Sequence, residues 1–295
     1  MYVAFAPLQG YTDCVYRRAH NKCAGGVDEY YTPFVQLDNG TMRGKGMRDV
    51  AFERNSGVPT VPQVIAGDAA EFAALCDELQ SQGWRRIDLN MGCPFPMQVR
   101  AGRGCGLLRQ PDKVEAIAVE MQRRADVRFS IKMRLGWDSA DECMALLPVI
   151  NDMPLVHVTL HPRLGRQQYK GEPDLDAFCH FAACCPKPVV YNGDIVAVQQ
   201  LDAVVSRFPA LKGVMIGRGL LANPSMLSGG NLQETLAAIH AEVYRHAVQS
   251  LCGESQMLAF LRSFWDYVDI DRKKRKTIAK AGSLLRYNEA VAGIV

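Results

Sequence analysis

The sequence predicts a (β/α)₈ barrel followed by a small helical domain. Between Tyr2 and Gly217, eight short apolar runs rich in β-branched residues recur, and most are followed by a segment with helical periodicity. The runs are continuously apolar more often than alternating, which is typical of parallel strands covered on both faces. No strand pattern follows the last run. We therefore predict a barrel over residues 1–228 and a helical domain over residues 229–295.

Eight candidate strands make up the predicted barrel. In chain order they are Tyr2–Ala6, Glu29–Val35, Thr60–Ile65, Arg86–Met91, Phe129–Arg134, Leu155–His161, Pro188–Asn192 and Gly213–Gly217. A doubly wound sheet is the structural alternative. We disfavour it because no GxGxxG motif follows the first strand, and because polar residues end many strands instead of gathering at one crevice.

Capping residues and the 3.6-residue period predict helices between these strands. Asp68 is a candidate N-cap for a helix that ends near Gln82, since Phe72, Leu75, Cys76 and Leu79 would share one face. Further helices are predicted to open at Asp112, to follow Ser139 as far as Ile150, to start at Asp174, and to run from Val196 to Ser206. The connection over residues 36–59 gives no clear pattern.

The character of the sequence changes after Leu221. Residues 223–231 are rich in Asn, Pro, Ser and Gly, which is typical of a linker. Residues 232–295 are predicted to form three or four amphipathic helices, broken near Gly253 and around residues 269–271. The densest basic run of the chain lies here: Arg272, Lys273, Lys274, Arg275 and Lys276. Two interpretations fit this run, a solvated helix face and a surface that binds a polyanion.

Composition narrows the class of protein. The chain has 295 residues, a net charge of +3 and ten cysteines, none of which forms a CxxC pair or has zinc-ligand spacing to a histidine. We therefore expect reduced thiols and no bound metal. The N-terminal segment lacks the pattern of a signal peptide, and no stretch has the apolar length of a membrane span. We expect a cytoplasmic protein, and the sequence gives no sign of an obligate protein partner.

Polar or glycine-rich residues end nearly every predicted strand. Active sites of such barrels lie at these carboxyl ends. The candidate site residues, in strand order, are Pro7, Leu8, Gln9, Gln63, Asn90, Cys93, Lys132, Arg134, His161, Asn192, Gly193, Asp194, Gly217 and Arg218. The last two strand ends read NGD and GRG, and they lie where barrels commonly hold phosphate on backbone N–H groups. The sequence therefore predicts a phosphate-bearing ligand, with Arg218 as its charged partner.

Seven stretches resemble the bacterial tRNA-dihydrouridine synthases. They are APLQGYTD (6–13), LNMGCP (89–94), GRGCGLLRQPD (102–112), IKMRLGWD (131–138), HPRLGRQQYKG (161–171), YNGDI (191–195) and MIGRGLLANP (215–224). They occur in the family's order, and RLGWD resembles the C-type bacterial branch. The resemblance implies a (β/α)₈-barrel enzyme that uses FMN to reduce the C5–C6 bond of uridine in tRNA. Its electrons would come from NADPH or NADH.

The resemblance also implies a role for each candidate residue. Cys93 would be the catalytic residue, and Asn90 and Arg134 would place the uracil. The flavin contacts would come from Pro7, Leu8, Gln9, Gln63, Lys132 and His161, and the ribityl chain and phosphate would be held by Asn192, Gly193, Asp194, Gly217 and Arg218. The basic run from Arg272 to Lys276 would contact the tRNA.

The chemistry of the reaction agrees with a cysteine in this role. Hydride from a reduced flavin adds at C6, and C5 then needs a proton from the opposite face of the ring. A thiol has an ordinary pKa of about 8.5, so it is protonated at neutral pH and can serve as the general acid. Lys132 at the pyrimidine edge of the flavin would favour the anionic reduced form.

Some positions depart from the family pattern. Pro96 stands where a lysine is usual, and Arg100 and Arg103 are the candidates to replace it. Leu8 stands where methionine is common. Cys105 is predicted to pack in the core instead of acting as a second acid, and His157, inside a strand, is predicted to be a core residue with its hydrogen bonds satisfied.

Two other functions remain open from the sequence. One is a small-molecule flavin enzyme of the dihydroorotate or dihydropyrimidine dehydrogenase type, which shares the barrel, FMN and often a catalytic cysteine. The LNMGCP loop and the basic C-terminal helices argue against it. The other is an RNA-binding protein that has lost catalysis, which the intact Cys93, Lys132 and phosphate loops argue against.

Overall fold

In the computed structural model of the protein, which describes residues 1–42 and 44–295, nine parallel strands form one curled sheet. The strands are β1 (Tyr2–Phe5), β2 (Glu29–Tyr31), β3 (Thr60–Val61), β4 (Gln63–Val64), β5 (Arg86–Met91), β6 (Arg128–Gly136), β7 (Leu155–Leu164), β8 (Val189–Tyr191) and β9 (Gly213–Ile216). Their order in the sheet is β3-β2-β1-β9-β8-β7-β6-β5-β4. The two outermost strands in this order, β3 and β4, follow each other directly in the chain, so the sheet closes into a barrel.

The third predicted strand is split in two by Pro62. Proline has no N–H group and cannot donate a hydrogen bond to a neighbouring strand. On one side of it β3 pairs with β2, and on the other side β4 pairs with β5 while Val64 bridges to Val35. β3 and β4 therefore occupy one strand position, and the (β/α)₈ barrel that the sequence predicts is confirmed.

The strand bounds differ most from the prediction at β2, β6 and β7. β2 ends at Tyr31 instead of Val35, because Pro33 interrupts its ladder. β6 and β7 extend past their predicted ends and still pair at their tips, where Gly136 lies opposite Leu164. This extension raises the rim of the barrel on the side that carries Lys132 and His161.

Helices cover the outside of the barrel. They are α1 (Cys14–Cys23), α2 (Gly44–Val50), α3 (Ala69–Ser81), α4 (Pro96–Arg100), α5 (Pro111–Gln122), α6 (Asp141–Ala145), α7 (Leu147–Asp152), α8 (Leu175–Cys184), α9 (Val198–Arg207) and α10 (Arg218–Ala222). The predicted N-cap at Asp68 and the predicted helix start at Asp174 are confirmed. The carboxylates of both residues accept a backbone N–H at 2.9 Å, at the starts of α3 and α8.

Three predicted helix bounds were wrong. α5 starts at Pro111 instead of Asp112, since the first turn of a helix needs no N–H donor and so accepts proline. The segment predicted to follow Ser139 forms two short helices, because Pro148 cannot donate to a carbonyl one turn earlier. α9 starts two residues late, where the Gln200 side chain accepts the N–H groups of Val196 and Ala197.

Four helices follow the barrel: α11 (Leu232–Ser250), α12 (Glu254–Ser263), α13 (Arg272–Lys280) and α14 (Leu284–Val291). They pack against the barrel through α1, where the ring of Phe264 lies 6.1 Å from that of Tyr16. The N–H of Asp269 donates to the carbonyl of Ala222 at 3.4 Å. One continuous hydrophobic cluster includes barrel and C-terminal residues. The division into a barrel domain over residues 1–228 and a helical domain over residues 229–295 stays a prediction. None of the described helices is both long and apolar enough to cross a bilayer.

Candidate active site

A cavity of about 360 Å³ opens at the carboxyl ends of the strands. It is lined by every residue that the sequence predicts at the strand ends: Pro7, Leu8, Gln9, Gln63, Asn90, Cys93, Lys132, Arg134, His161, Asn192, Gly193, Asp194, Gly217 and Arg218. Because the strands are parallel and converge on one rim, residues far apart in the chain meet here. The basic run of α13 does not line the cavity.

Lys132 provides an unpaired cation inside the cavity. It lies on β6, and its ammonium has no hydrogen bond or ion pair with another described residue. Burial, and secondarily the charge of Arg134, lower the pKa of Lys132 to about 8. At neutral pH the ammonium is therefore still mostly protonated and available to an electron-rich ligand.

Cys93 is the cysteine that faces the cavity. Its side chain lies at the end of β5 and is only 7% exposed. Burial raises the pKa of the Cys93 thiol above its usual range, so the group is protonated at neutral pH. Cys105 is fully buried outside the cavity, and its thiol donates to the carbonyl of Gly92 at 3.2 Å. This geometry agrees with the predicted packing role of Cys105.

Asn90 and Gln63 hold the loop that carries Cys93. The backbone N–H groups of Gly92 and Cys93 donate to Asn90 Oδ1 at 3.0 and 2.8 Å. Asn90 Nδ2 donates in turn to Gln63 Oε1 at 2.8 Å. Asn90 therefore supports the Cys93 loop, in addition to its predicted contact with uracil.

Arg134 is mostly occupied by backbone carbonyls. Its Nε donates to Gly92 at 3.0 Å, and its Nη1 donates to Leu164 and Gln168 at 3.1 and 2.6 Å. Only Nη2 remains for a ligand. Arg134 thus joins the Cys93 loop to the loop after β7, and any contact with a substrate uses a single N–H₂ group.

His161 is a neutral imidazole. Burial lowers its pKa well below the usual range, and the nearby Arg134, Lys132 and other cations lower it further. Nη1 of Arg163 lies 3.1 Å from Nε2 of His161. A guanidinium can only donate, so Nε2 is the acceptor and the ring proton lies on Nδ1. His161 can therefore donate one hydrogen bond from Nδ1.

The loops after β8 and β9 form a narrow, donor-rich end of the cavity. No described residue accepts the backbone N–H groups of Gly193 and Asp194. A Cβ at Gly219 would lie 2.1 Å from the carbonyl oxygen of Ile195, so only glycine lets the two loops approach this closely. Free N–H groups beside a glycine-lined wall are typical of phosphate sites.

Asp194 positions two arginines at this end. Its carboxylate accepts hydrogen bonds from both nitrogens of the Arg163 fork and from Arg218 Nη2, the latter at 2.7 Å. Hydrogen bonds from Arg163 hold the pKa of Asp194 below its usual range. The Asp194 side chain is therefore negatively charged at neutral pH. It holds Arg218 in place and has no proton to donate to a phosphate.

The sequence does not identify the five aromatic residues that line the cavity, which are Tyr11, Phe34, Phe95, Tyr169 and Tyr267. The Tyr169 ring lies under two guanidinium groups, 5.3 Å from that of Arg134 and 5.2 Å from that of Arg218. Tyr267 reaches the cavity from the segment after α12. Phe95 is 53% exposed beside the Cys93 loop. The signal that could have identified two of them is their position in the sequence: Tyr169 lies within the HPRLGRQQYKG stretch, and Phe95 directly follows LNMGCP.

Several predicted cations are engaged in the protein itself. Arg103 forms an ion pair with Glu71, so it does not replace the lysine that Pro96 displaces, whereas Arg100 is exposed. In the basic run, Arg275 donates to the carbonyl of Val268 at 2.6 Å and Lys274 to that of Gly293 at 3.2 Å. The members of the run that are exposed and have no such bond to a described residue are Arg272, Lys273 and Lys276.

The fold and the cavity together define a (β/α)₈-barrel enzyme with its site at the carboxyl ends of the strands. Solved structures agree on the fold. The old yellow enzyme from Trypanosoma cruzi superposes with a TM-score of 0.55 at 9% identity, over 77% of this chain and 86% of that one. Morphinone reductase superposes with a TM-score of 0.53 at 11% identity, over 78% and 86% of the two chains.

The family follows from the sequence comparison. The model of the family described as "Dihydrouridine synthase (Dus)" matches residues 4–286. The chain therefore belongs to the dihydrouridine synthase family, and it is an oxidoreductase. This match favours the predicted family over the small-molecule dehydrogenases that the sequence left open.

Curated relatives agree with this placement. The "tRNA-dihydrouridine(16) synthase" of Pseudomonas syringae pv. tomato is 29% identical over 276 residues, which cover 90% of this chain and 82% of the relative. The "Probable tRNA-dihydrouridine synthase" of Rhodobacter capsulatus is 30% identical over 77% of this chain and 69% of its own. The "tRNA-dihydrouridine synthase B" of Vibrio vulnificus is 29% identical over 74% and 67%.

Proposed function

We propose that the protein reduces the C5–C6 bond of uridine in tRNA to dihydrouridine, with FMN as its flavin and NADPH or NADH as its reductant. The observation that carries the proposal is the content of one cavity: a protonated Cys93 thiol, an unpaired Lys132 ammonium and a donor-rich end at Gly193 and Asp194. The enzyme would work in the cytoplasm, where the sequence analysis places it.

The residues of the cavity fit FMN. The free N–H groups of Gly193 and Asp194, with the guanidinium of Arg218 beside them, suit a single terminal phosphate. The side chain of Asn192 donates to the carbonyl of Met215 at 2.7 Å, so its oxygen can accept from a ribityl hydroxyl. Gln63 lies on β4, across the barrel from β8, and Lys132 lies on β6, two strands from β8; both would meet the isoalloxazine ring. No second phosphate site adjoins this one in the described lining, which supports FMN over FAD.

Each protein group has a defined task in the reaction. Bound FMN, once reduced, would supply the hydride that adds at C6 of uracil. Negative charge then develops on the C4 carbonyl oxygen, and the Arg134 Nη2 group or the Nδ1–H of His161 can stabilise it. Cys93 donates its proton to C5 from the opposite face, and its raised pKa keeps that proton in place at neutral pH.

The proposal is tested with purified protein and tRNA that lacks dihydrouridine. We expect a yellow protein, FMN after heat release as identified by mass, and dihydrouridine formed with NADPH or NADH. Release of FAD, or of no flavin, would contradict the cofactor assignment. Flavin reduction without any dihydrouridine in tRNA would contradict the substrate assignment.

We propose position 16 as the uridine to examine first. The relative whose match covers 90% of this chain, and so extends into the C-terminal helices, has a name that specifies position 16. The type B relative from Vibrio vulnificus matches 74% of the chain. Mapping dihydrouridine by position in tRNA treated with the enzyme decides the site, and modification at another position alone would contradict this choice.

A further inference from the structure

A buried hydrogen-bonded chain runs through the barrel interior to the catalytic loop. From the amino ends of the strands upward it passes through Arg86, Ser130, Asp88, Gln63 and Asn90 to the backbone of Cys93. Asp88, Gln63 and Ser130 have no exposed surface. Each link from Arg86 to Asn90 joins neighbouring strands, because β4, β5 and β6 lie side by side, and the last link lies between Asn90 and the loop after β5.

The upper end of the chain fixes its direction. Backbone N–H groups can only donate, so those of Gly92 and Cys93 require the oxygen of Asn90. The Asn90 amide nitrogen must then face Gln63, and the Gln63 oxygen must accept from it. This leaves the Gln63 nitrogen facing Asp88, where it donates to Oδ2 at 2.7 Å. Because every residue from Gln63 to Cys93 donates towards Asp88, the residue at position 88 must be an acceptor.

The lower end requires the same direction. Arg86 Nη1 can only donate, and it gives a hydrogen bond to Ser130 Oγ at 3.1 Å. The Ser130 hydroxyl then donates its own proton to Asp88 Oδ1. Asp88 therefore receives donors on both oxygens, which suits an ionised carboxylate. Burial raises the pKa of Asp88 to about 6, so the carboxylate is still mostly ionised at neutral pH.

We propose that Asp88 is a positioning residue, whose carboxylate sets the orientation of the Gln63 and Asn90 amides and thereby the placement of the Cys93 loop. The proposal rests on the proposed function only in taking Cys93 as the acid to be placed. Asp88 itself does not line the cavity, so it acts through the two amides. A displacement of about 1 Å at a reacting group can cost about 10²-fold in rate, which makes such placement important.

Asp88→Asn tests the proposal with almost no change in volume. Asp88 accepts through two oxygens, from Gln63 and from Ser130, whereas asparagine has only one oxygen. One of these two donors must therefore face the asparagine NH₂ group, which is itself a donor. If that donor is Gln63, its amide turns so that its oxygen faces the asparagine and its nitrogen faces Asn90. The Asn90 amide must then turn as well, and its oxygen no longer accepts the N–H groups of the Cys93 loop. If it is Ser130, the hydroxyl, which already accepts from Arg86, loses the acceptor for its own proton. In the first case the orientation of the Gln63 and Asn90 amides is no longer fixed. In the second case the two amides keep their orientation, and a buried donor without an acceptor destabilises the Asp88 end of the chain.

The readout is the alkylation rate of Cys93 by iodoacetamide, which needs neither flavin nor tRNA. Cys93 is the only cysteine of the tryptic peptide 87–100, so mass spectrometry measures it alone. We expect Asp88→Asn to raise the rate about tenfold, as for loss of one buried hydrogen bond. Tyr2→Phe is the matched control: it removes a hydroxyl bonded to Glu29, outside the chain to Cys93, and should leave the rate unchanged.

Ser130→Ala is the second variant. It removes one donor to Asp88, and the Asp88 carboxylate is not among the groups that shift the pKa of Cys93, so an altered thiol pKa does not explain a faster reaction. We expect a smaller rise, about threefold. If Asp88→Asn does not fold, this variant carries the test alone. An unchanged rate in the folded variants would overturn the proposal.

Coupling separates positioning from a general loss of stability. If Asp88 acts through Asn90, Asp88→Asn adds almost nothing to the alkylation rate of an Asn90→Ala protein. If Asp88→Asn raises the alkylation rate by the same factor in the Asn90→Ala protein as in wild type, the two residues act independently and the proposal is overturned. In the turnover assay we expect a lower kcat with the KM for tRNA within about twofold. A protein with no synthase activity but the expected alkylation rates would refute the proposed function and leave this inference standing.

Discussion

At the scale of the residue, burial sets the protonation states of the Cys93 thiol and the Lys132 ammonium in the cavity. Taking a group out of water disfavours its charged form, so the pKa of the Cys93 thiol rises and that of Lys132 falls to about 8. At pH 7 the thiol keeps its proton and the ammonium still keeps its charge. One physical effect therefore leaves an acid and a cation in the same cavity.

Cys93→Ala is expected to keep the flavin and its reduction by NADPH but to lose most dihydrouridine formation. Loss of a general acid typically costs about 10²–10⁴-fold in rate. Single-turnover assays of the reduced enzyme with tRNA measure this loss. Cys105→Ala is the matched control, because that thiol faces the carbonyl of Gly92 and not the cavity. Near-normal turnover in Cys93→Ala would show that another group is the acid.

Lys132 predicts a pH dependence of flavin binding. The lysine is protonated below its pKa of about 8, so the affinity of the flavin-free protein for FMN should fall as the pH rises from 7 to 9, by up to about tenfold. Quenching of FMN fluorescence measures the affinity. Lys132→Met should bind FMN more weakly and with a flatter pH profile.

The control for this prediction is Lys212→Met. Burial also lowers the pKa of Lys212, but this lysine lies at the other end of the barrel, where it contacts His157. We expect the wild-type pH profile in this variant. The same fall in affinity in Lys132→Met as in wild type would assign the titration to another group.

At the scale of the element, two strand-end loops must touch for the donor-rich end of the cavity to form. The loop after β8 contains Asp194 with a positive φ of 40°, and the turn after β9 leads into α10. They meet where Gly219 faces the carbonyl of Ile195. The position of the free N–H groups therefore depends on the absence of a side chain at Gly219.

Gly219→Ala is expected to weaken FMN binding about tenfold or more. The added Cβ would lie 2.1 Å from the Ile195 oxygen, so the loop that carries Gly193 and Asp194 must move. Titration of the flavin-free protein measures the change. Gly282→Ala, where a Cβ meets nothing within 4 Å, is the control and should bind FMN normally. Unaltered FMN affinity in Gly219→Ala would place the phosphate elsewhere.

At the scale of the whole molecule, the segment after α12 reaches the mouth of the barrel and leads into the basic helix α13. Tyr267 lines the cavity, and α13 begins at Arg272, only a few residues later in the chain. Drawing a uridine out of a folded tRNA costs a few kcal/mol, which phosphate contacts outside the cavity would have to offset. The exposed cations of α13 and Arg100 are the candidates for these contacts.

Neutralising Arg272, Lys273 and Lys276 is expected to weaken tRNA binding and flatten its salt dependence. The log–log slope should fall by up to about 0.9 for each duplex phosphate that no longer has a cation beside it. FMN content and flavin reduction should not change, because these residues lie outside the cavity. Filter binding at several salt concentrations measures the slope.

A matched triple variant controls for net charge. Arg85, Arg123 and Arg128 are exposed at the amino ends of β5 and β6, on the opposite face of the barrel. Their neutralisation removes the same charge and should leave the slope unchanged. Equal slopes for wild type and the α13 variant would show that the basic run is only a solvated face.

Local sequence was sufficient to predict most of the elements and the polar residues that line the cavity. Continuous apolar runs gave the strands, Asp68 and Asp174 gave the helix starts, and every polar strand end contributed to the cavity. The reason is that parallel strands of a barrel point their carboxyl ends at one rim, so position along a strand already specifies position in the site. Pro62 separates β3 from β4, and Pro148 separates α6 from α7, because proline has no N–H group to donate. Both prolines are visible in the sequence.

Only the tertiary structure decided what each side chain is free to do. Arg134 and Arg103 have the same chemistry in the sequence, yet one holds two loops beside the cavity and the other pairs with Glu71. The aromatic contacts of Tyr169 and the buried chain from Asp88 to Cys93 join residues from different strands. Hydrogen-bond partners and desolvation depend on neighbours that are distant in the chain, so the sequence determined which residues meet, and the fold determined their charge, orientation and availability.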